Sequence, residues 1–204
     1  MWLYSTVSSA ATPGSTAFCG SCRKLQPLGR TEDYYSLFDL PREFAIDPRG
    51  LEQRFRDLSR QLHPDRFARA EPRERRIALE RATRLNDAYR ALKDWRRRAA
   101  DLLRLAGPDA PGDGRPFHDP EFLEEQLEWR EALALARADG DAAALARIAA
   151  RSRERLAALE AECGRLFASP GWPGEAAGEI ARRVARARYH DNLVADAERG
   201  AGGP

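Results

Sequence analysis

From Asp141 to Ala168 small or apolar residues return at every third or fourth position: Leu145, Ile148, Ser152, Leu156, Leu159, Cys163 and Leu166. No proline interrupts the run. Such a stripe fits a helix and not a strand, because a strand sends successive side chains to opposite faces. Its near-heptad spacing calls for other helices to cover it. The same period recurs along the chain. Asp47 can cap and Pro48 can open a helix that carries Leu51, Phe55, Leu58 and Leu62 on one face until Pro64 ends it. Pro72 to Lys93 aligns Ala78, Ala82, Leu85, Tyr89 and Leu92, and Asp94 to Ala106 aligns Trp95, Ala99, Leu102 and Leu103. DYYSLFDL, Asp33 to Leu40, reads as a short amphipathic helix closed by Pro41, and two further helices span Asp119 to Ala138 and Glu175 to Arg199. Ala, Arg, Leu and Glu dominate while β-branched residues are sparse, which also specifies an all-α chain.

The run GPDAPGDGRPFHDP, from Gly107, breaks the helical pattern and marks a boundary. The expected organisation is an irregular segment over 1–30 with one C-x-x-C, an N-terminal helical domain over 31–107, a linker over 108–118, a three-helix bundle over 119–199 and a disordered tail over 200–204. Packing of Trp95, Leu102, Leu103 and Phe117 between the domains is expected to hold the linker fairly rigid.

With 34 Lys and Arg against 32 Asp and Glu, net charge does not announce a nucleic-acid binder. No apolar run is long enough for a transmembrane helix, so no membrane partner is expected. The start lacks any Lys or Arg before Arg23, which fits neither a secretory signal nor a transit peptide. Three cysteines do not make a disulfide framework, so the expected compartment is the cytoplasm, with the mitochondrial matrix as the alternative.

QLHPDRFA, Gln61 to Ala68, sets His63, Pro64 and Asp65 between two long helices. A His–Asp pair could serve acid–base chemistry, but no phosphate loop or nucleophile elbow accompanies it, and His118 and His190 lack zinc-ligand spacing to His63. An ordinary helix-breaking turn is the bland reading. Around the corner, Arg49, Arg54, Arg56, Arg60, Arg66 and Arg69 outnumber Glu52, Asp57 and Asp65, leaving an excess of about three positive charges. A basic helix face joined to a rigid corner can dock an acidic partner, steering its encounter.

The order DYYSLFDL, basic amphipathic helix, HPD, then LNDAYRAL (Leu85 to Leu92) resembles the J-domain. Together with a helical bundle after a short linker, and with RFRDLSRQLHPDRF and EFLEEQLEWREAL, the chain resembles the HscB family over roughly Asp33 to Ala197. That resemblance implies a non-catalytic co-chaperone of iron–sulfur cluster assembly. It would stimulate the ATPase of a DnaK/HscA-class chaperone and deliver an IscU-type scaffold. The implied chaperone contact is His63, Pro64 and Asp65, completed by the basic face with Arg54, Arg56, Arg60 and Arg66.

The first bundle helix has its own pattern. Phe122, Gln126, Trp129, Leu133 and Ala136 share one stripe, while Leu123, Leu127 and Leu135 fall off it beside Glu124, Glu128 and Glu131. Leucines beside glutamates suit a partner with apolar and basic groups. On the last helix Ile180, Val184, Ala187 and Val194 share a stripe, and Tyr189 projects roughly opposite. The resemblance implies a scaffold contact through Leu123, Leu127, Glu128, Glu131 and Tyr189; Glu124 stands where some relatives carry an apolar residue.

Cys19 and Cys22 in FCGSC have the spacing of half a zinc site. Some relatives with an N-terminal extension carry two such pairs, and this one resembles the second. The readings are a metal-free remnant, a zinc site completed by another chain, or one completed by a longer N-terminus; no cofactor is otherwise required. Cys163, on a core stripe, is expected to be inert. The chain is expected to be a monomer or weak dimer. The alternatives are a J-domain adaptor for another client, or a nucleic-acid-binding helical protein using its arginines, against which interleaved acids and few aromatics argue.

Overall fold

The structure, a computed structural model, describes residues 17–19, 21–22, 24–29, 32–107 and 120–201. The lead-in through residue 16, the expected linker 108–118 with Phe117 and His118, Asp119 and the tail residues 202–204 lie outside them. Seven α-helices stand among the described residues: α1 Tyr34–Leu37, α2 Pro48–Gln61, α3 Pro72–Lys93, α4 Trp95–Ala106, α5 Pro120–Ala138, α6 Ala142–Phe167 and α7 Gly174–Ala201. A 3-10 turn, Pro64–Phe67, joins α2 to α3. The fold is all-α, and the described residues pair as β-structure only in an isolated bridge between Phe18 and Leu25.

The first compact unit extends to Asp94. In α1 the Asp33 carboxylate accepts the Ser36 amide at 2.8 Å while the Ser36 hydroxyl accepts the Asp33 amide at 3.0 Å, a reciprocal cap. The helix stops at Leu37 instead of running to Leu40. Buried Phe38 and then Asp39, in the left-handed region at φ +52°, turn the chain away. Asp47 caps α2 as its sequence position predicts, accepting the Arg49 and Gly50 amides at 3.1 and 3.0 Å. Leu51, Leu58 and Leu62 of the α2 side are buried with Leu85, Ala88 and Leu92 of α3, and Phe55 stacks on Tyr89 at 4.1 Å.

Part of the segment expected to be irregular is ordered against this unit. The Cys19 amide donates to the Lys24 carbonyl at 2.9 Å and the Gln26 amide to the Ala17 carbonyl at 2.8 Å, closing a tight hairpin with Ala17 and Leu25 buried. Arg81 of α3 anchors the chain beyond the hairpin: its guanidinium donates to the carbonyls of Gln26 and Pro27 and lies 3.1 Å from the Glu32 carboxylate.

The second compact unit begins at Trp95, so the division falls ahead of the expected 108–118 linker. Helix α4, assigned from sequence to the first domain, packs on α6 and α7. Its buried face contains Arg98, Ala99, Asp101, Leu102 and Leu103; Arg96 pairs with Asp191, and Arg98 reaches Glu160 at 4.0 Å. The expected three-helix bundle therefore gains a fourth helix. Asp141 caps α6 by accepting the Ala144 amide at 2.8 Å, and Gly140 at φ +64° makes the turn from α5. One core cluster joins Leu133 and Ala136 of α5, Leu145, Ile148 and Ala149 of α6, and Leu193 and Ala197 of α7.

Candidate functional site

Two surfaces carry the residues singled out by sequence, one in each unit. In the first, Leu62 is buried and its amide still donates to the Leu58 carbonyl at 2.8 Å, so α2 ends on a fixed anchor. Pro64 then opens the 3-10 turn, where a missing N–H costs no hydrogen bond. The Arg66 amide donates to the His63 carbonyl at 3.0 Å, and the Asp65 amide donates to His63 Nδ1 at 3.3 Å. The Asp65 carboxylate lies 3.5 Å from the same nitrogen. Both side chains remain open, His63 at 58% and Asp65 at 89% exposure. A catalytic pair needs a pocket to position a substrate; this pair is exposed on a 3-10 turn between two helices.

The basic face is less free than its sequence suggests. Arg54 is half-buried, and its guanidinium donates to the carbonyls of Phe38 and Asp39 at 2.5 and 2.6 Å, tying α2 to the end of α1. It departs from the exposed set because its long side chain reaches two unsatisfied carbonyls beyond α1. Arg56 pairs with Glu52 at 2.6 Å and Arg60 pairs with Asp57, each one helical turn away. Arg60, then Gln53, holds the Asp57 carboxyl below its ordinary range. Arg66 is exposed beside the corner. The strip is thus a row of exposed ion pairs leading to His63, a pattern that steers partners more than it binds them.

The second surface is α5. Leu123, Leu127 and Leu135 are exposed at 54%, 60% and 64%, with Glu124, Glu128 and Glu131 exposed among them. Phe122, Leu133 and Ala136 are buried, and Gln126 and Trp129 half-buried, as the stripe predicts. Tyr189 differs from expectation. It is half-buried, packs on the core cluster, meets Phe122 edge-on at 5.7 Å and donates its hydroxyl to the Gln126 carbonyl at 2.8 Å. Burial pushes its phenol above the ordinary range; the Arg130 charge opposes this and the Glu125 carboxylate adds to it. The reason is a change of neighbour along α7. Ile180, Val184 and Ala187 are buried as predicted, but toward its C-terminal end the core positions become Leu193 and Ala197, where α5 covers the helix, and Val194 is only half-buried. Tyr189 so joins α7 to the exposed leucine face of α5.

Ser152, on the predicted stripe of α6, and His190, weighed from sequence only as a metal ligand, are both buried in this unit, and their side-chain polar atoms have no hydrogen-bond partner among the described residues. No periodicity rule distinguishes a buried histidine on a core stripe from a surface one.

Cys19 and Cys22 share the hairpin turn, and the amides of Cys22 and Ser21 hold the Cys19 thiol below its usual range. A tetrahedral zinc site needs four ligands. Among the described residues no group of three or more His, Cys, Asp or Glu converges, so these two thiols do not complete one by themselves. Cys163 is fully buried, and burial pushes its thiol up to about 12, which keeps it protonated and inert. No helix among the described residues is long and apolar enough to cross a membrane.

Comparison with known proteins gives a consistent picture. The family model described as the HSCB C-terminal oligomerisation domain matches residues 118–198. A co-chaperone protein HscB homolog of Azoarcus sp. (strain BH72) is 41% identical over 154 residues, covering 75% of this chain and 86% of the relative. Its counterpart in Paraburkholderia xenovorans (strain LB400) is 37% identical over 153 residues, with the same coverage of 75% and 86%. Among solved structures, chaperone HscB from Vibrio cholerae is similar at a TM-score of 0.69 and 34% identity, covering 82% of this chain and 96% of that one. Human co-chaperone protein HscB is similar at a TM-score of 0.77 and 28% identity, covering 89% and 88%.

Proposed function

The chain belongs to the HscB co-chaperone family, and we propose that it stimulates ATP hydrolysis by a DnaK/HscA-class chaperone while delivering an IscU-type iron–sulfur scaffold to it. The observation that carries the first half is the corner: His63 and Asp65 exposed on a turn that Pro64 fixes, with a row of arginines leading to it. In this reading His63, Pro64 and Asp65 contact the chaperone, and Arg56, Arg60 and Arg66 guide the approach. Arg54 contributes by holding α2 in place. The chemistry takes place in the chaperone's nucleotide site, and this chain performs no catalytic step.

For the scaffold, Leu123 and Leu127 supply apolar contact, Glu128 and Glu131 select basic groups, and Tyr189 fixes the edge of the surface. Carrying both contacts on one chain raises the scaffold's effective concentration at the chaperone. The test is chaperone ATPase turnover with and without this protein and with and without scaffold, repeated with His63→Gln. Stimulation should vanish in the variant while scaffold binding persists. A His63→Gln protein that stimulates fully would end the role given to the corner.

A further inference from the structure

His190 of α7 is 1% exposed, and neither of its ring nitrogens is hydrogen-bonded among the described residues. Its ring meets Trp129 of α5 edge-on at 5.6 Å and the Tyr189 ring at 5.7 Å. The Glu125 carboxylate of α5 stands 3.8 Å from Nε2, too far for a hydrogen bond. A leucine or phenylalanine would fill this place without leaving polar atoms unpaired, so packing alone does not account for an imidazole here. The ring lies beneath the turn of α5 that carries the scaffold contact. Half-buried Glu125, Gln126 and Trp129 make the inner side of that turn, and the Gln126 carbonyl accepts the Tyr189 hydroxyl at 2.8 Å. The same turn presents Leu127 and Glu128 to solvent, with Leu123 one turn before Leu127 and Glu131 one turn after it.

We propose that His190 is a positioning residue for the scaffold contact: a neutral ring keeps α5 seated on α7, and protonation unseats it. The inference rests on the scaffold reading above. A proton on the ring places a full charge where almost no water reaches it. Arg155 of α6 and Arg186 of α7 repel that charge, and the Glu125 carboxylate of α5 attracts it. Arg155 is itself 3.6 Å from Glu162, and Arg186 lies over the Phe122 ring at 5.1 Å. The neighbouring Asp191 is paired with Arg96 of α4. The charged ring reaches water by displacing α5, the helix whose Trp129 packs on it. That movement parts Tyr189 from Gln126 and takes Leu123 and Leu127 out of register with Tyr189. An unseated chain takes up the proton near the ordinary histidine value of about 6.5, whereas the seated chain resists it. Scaffold affinity therefore holds above that pH and falls below it, by at most about tenfold per pH unit, the limit for one proton.

Calorimetric titration of the full chain with an IscU-type scaffold tests it, with circular dichroism to confirm that each variant folds. From about pH 7.5 to about pH 6 the wild-type Kd should rise by about threefold or more. His190→Phe keeps the ring contacts without a titrating nitrogen and should lose most of that rise. Should His190→Phe not fold, His190→Gln carries the same comparison. Amide hydrogen exchange of the scaffold-free chain, corrected for intrinsic rates, reads the seat of α5 directly. At the lower pH α5 should open more readily than α6 in the wild type and not in the variant. A rise in Kd equal in wild type and variant overturns the proposal, as does α5 protection that is indifferent to pH. A chain that binds no scaffold at either pH ends the scaffold reading instead, and α5 exchange still decides whether His190 seats the helix.

Discussion

Buried charge in the first unit concentrates at Arg81, whose guanidinium is 1% exposed and meets Glu32, 7% exposed, together with the carbonyls of Gln26 and Pro27. Removing one member of such a pair leaves the other charge without compensation in a dry site, at about 3–5 kcal/mol. Arg81→Met should therefore lower the unit's unfolding free energy by that order in urea titration and release the Cys19–Cys22 hairpin to faster hydrogen exchange. A loss within about 0.5 kcal/mol, the range of ordinary surface substitutions, would show that the pair does not hold the segment. Nothing near Arg81 in the sequence signals this role, because its carbonyl partners lie 55 and 54 positions away. His63, Pro64 and Asp65 were legible for the opposite reason. A proline that ends a helix acts on its immediate neighbours, so the exposure of the corner follows from local geometry.

At the scale of the element, α5 separates contact from stability. Leu127 is 60% exposed, so Leu127→Ser should leave the melting temperature nearly unchanged and weaken scaffold binding by about 1–2 kcal/mol, close to tenfold in Kd by calorimetric titration. Unchanged affinity would remove Leu127 from the contact. Tyr189→Phe keeps the ring against Phe122 and deletes the hydrogen bond to Gln126. It should cost about 0.5–1.5 kcal/mol of stability, and scaffold affinity should hold if the ring is what the scaffold touches. Tyr189→Ala should lower both. The α5 pattern could be read from sequence because one face of the helix is covered and the rest meets solvent, so a single stripe accounts for Phe122, Leu133 and Ala136. On α7 a single stripe fails, since the covering helix changes along its length and Leu193 takes the core position expected for Val194.

Over the whole molecule, composition and periodicity specified helices, but neither could say which helices α4 would join. Its stripe of Ala99, Leu102 and Leu103 is equally apolar toward any neighbour, whereas the Gly/Pro run that suggested a boundary lies after it and the compact units divide before it. The division matters for acid stability. Formal net charge is only +2, so general charge repulsion near neutrality is small and individual buried groups dominate. In the second unit that group is His190, 1% exposed with neither ring nitrogen hydrogen-bonded among the described residues. Burial lowers its pKa below the ordinary 6.5; the Glu125 carboxylate of α5, 3.8 Å away, opposes this, while Arg155 of α6 and Arg186 of α7 reinforce it. The unfolded chain thus binds a proton at a pH where the folded unit does not. Stability is full above about pH 6.5 and falls as pH drops toward the depressed folded value. Thermal unfolding of the second unit should move to lower temperature between about pH 7 and pH 5. His190→Phe should flatten that dependence, since the ring retains its edge contact with Trp129 without a titrating nitrogen. An equal acid shift in wild type and variant would place the dependence on other groups.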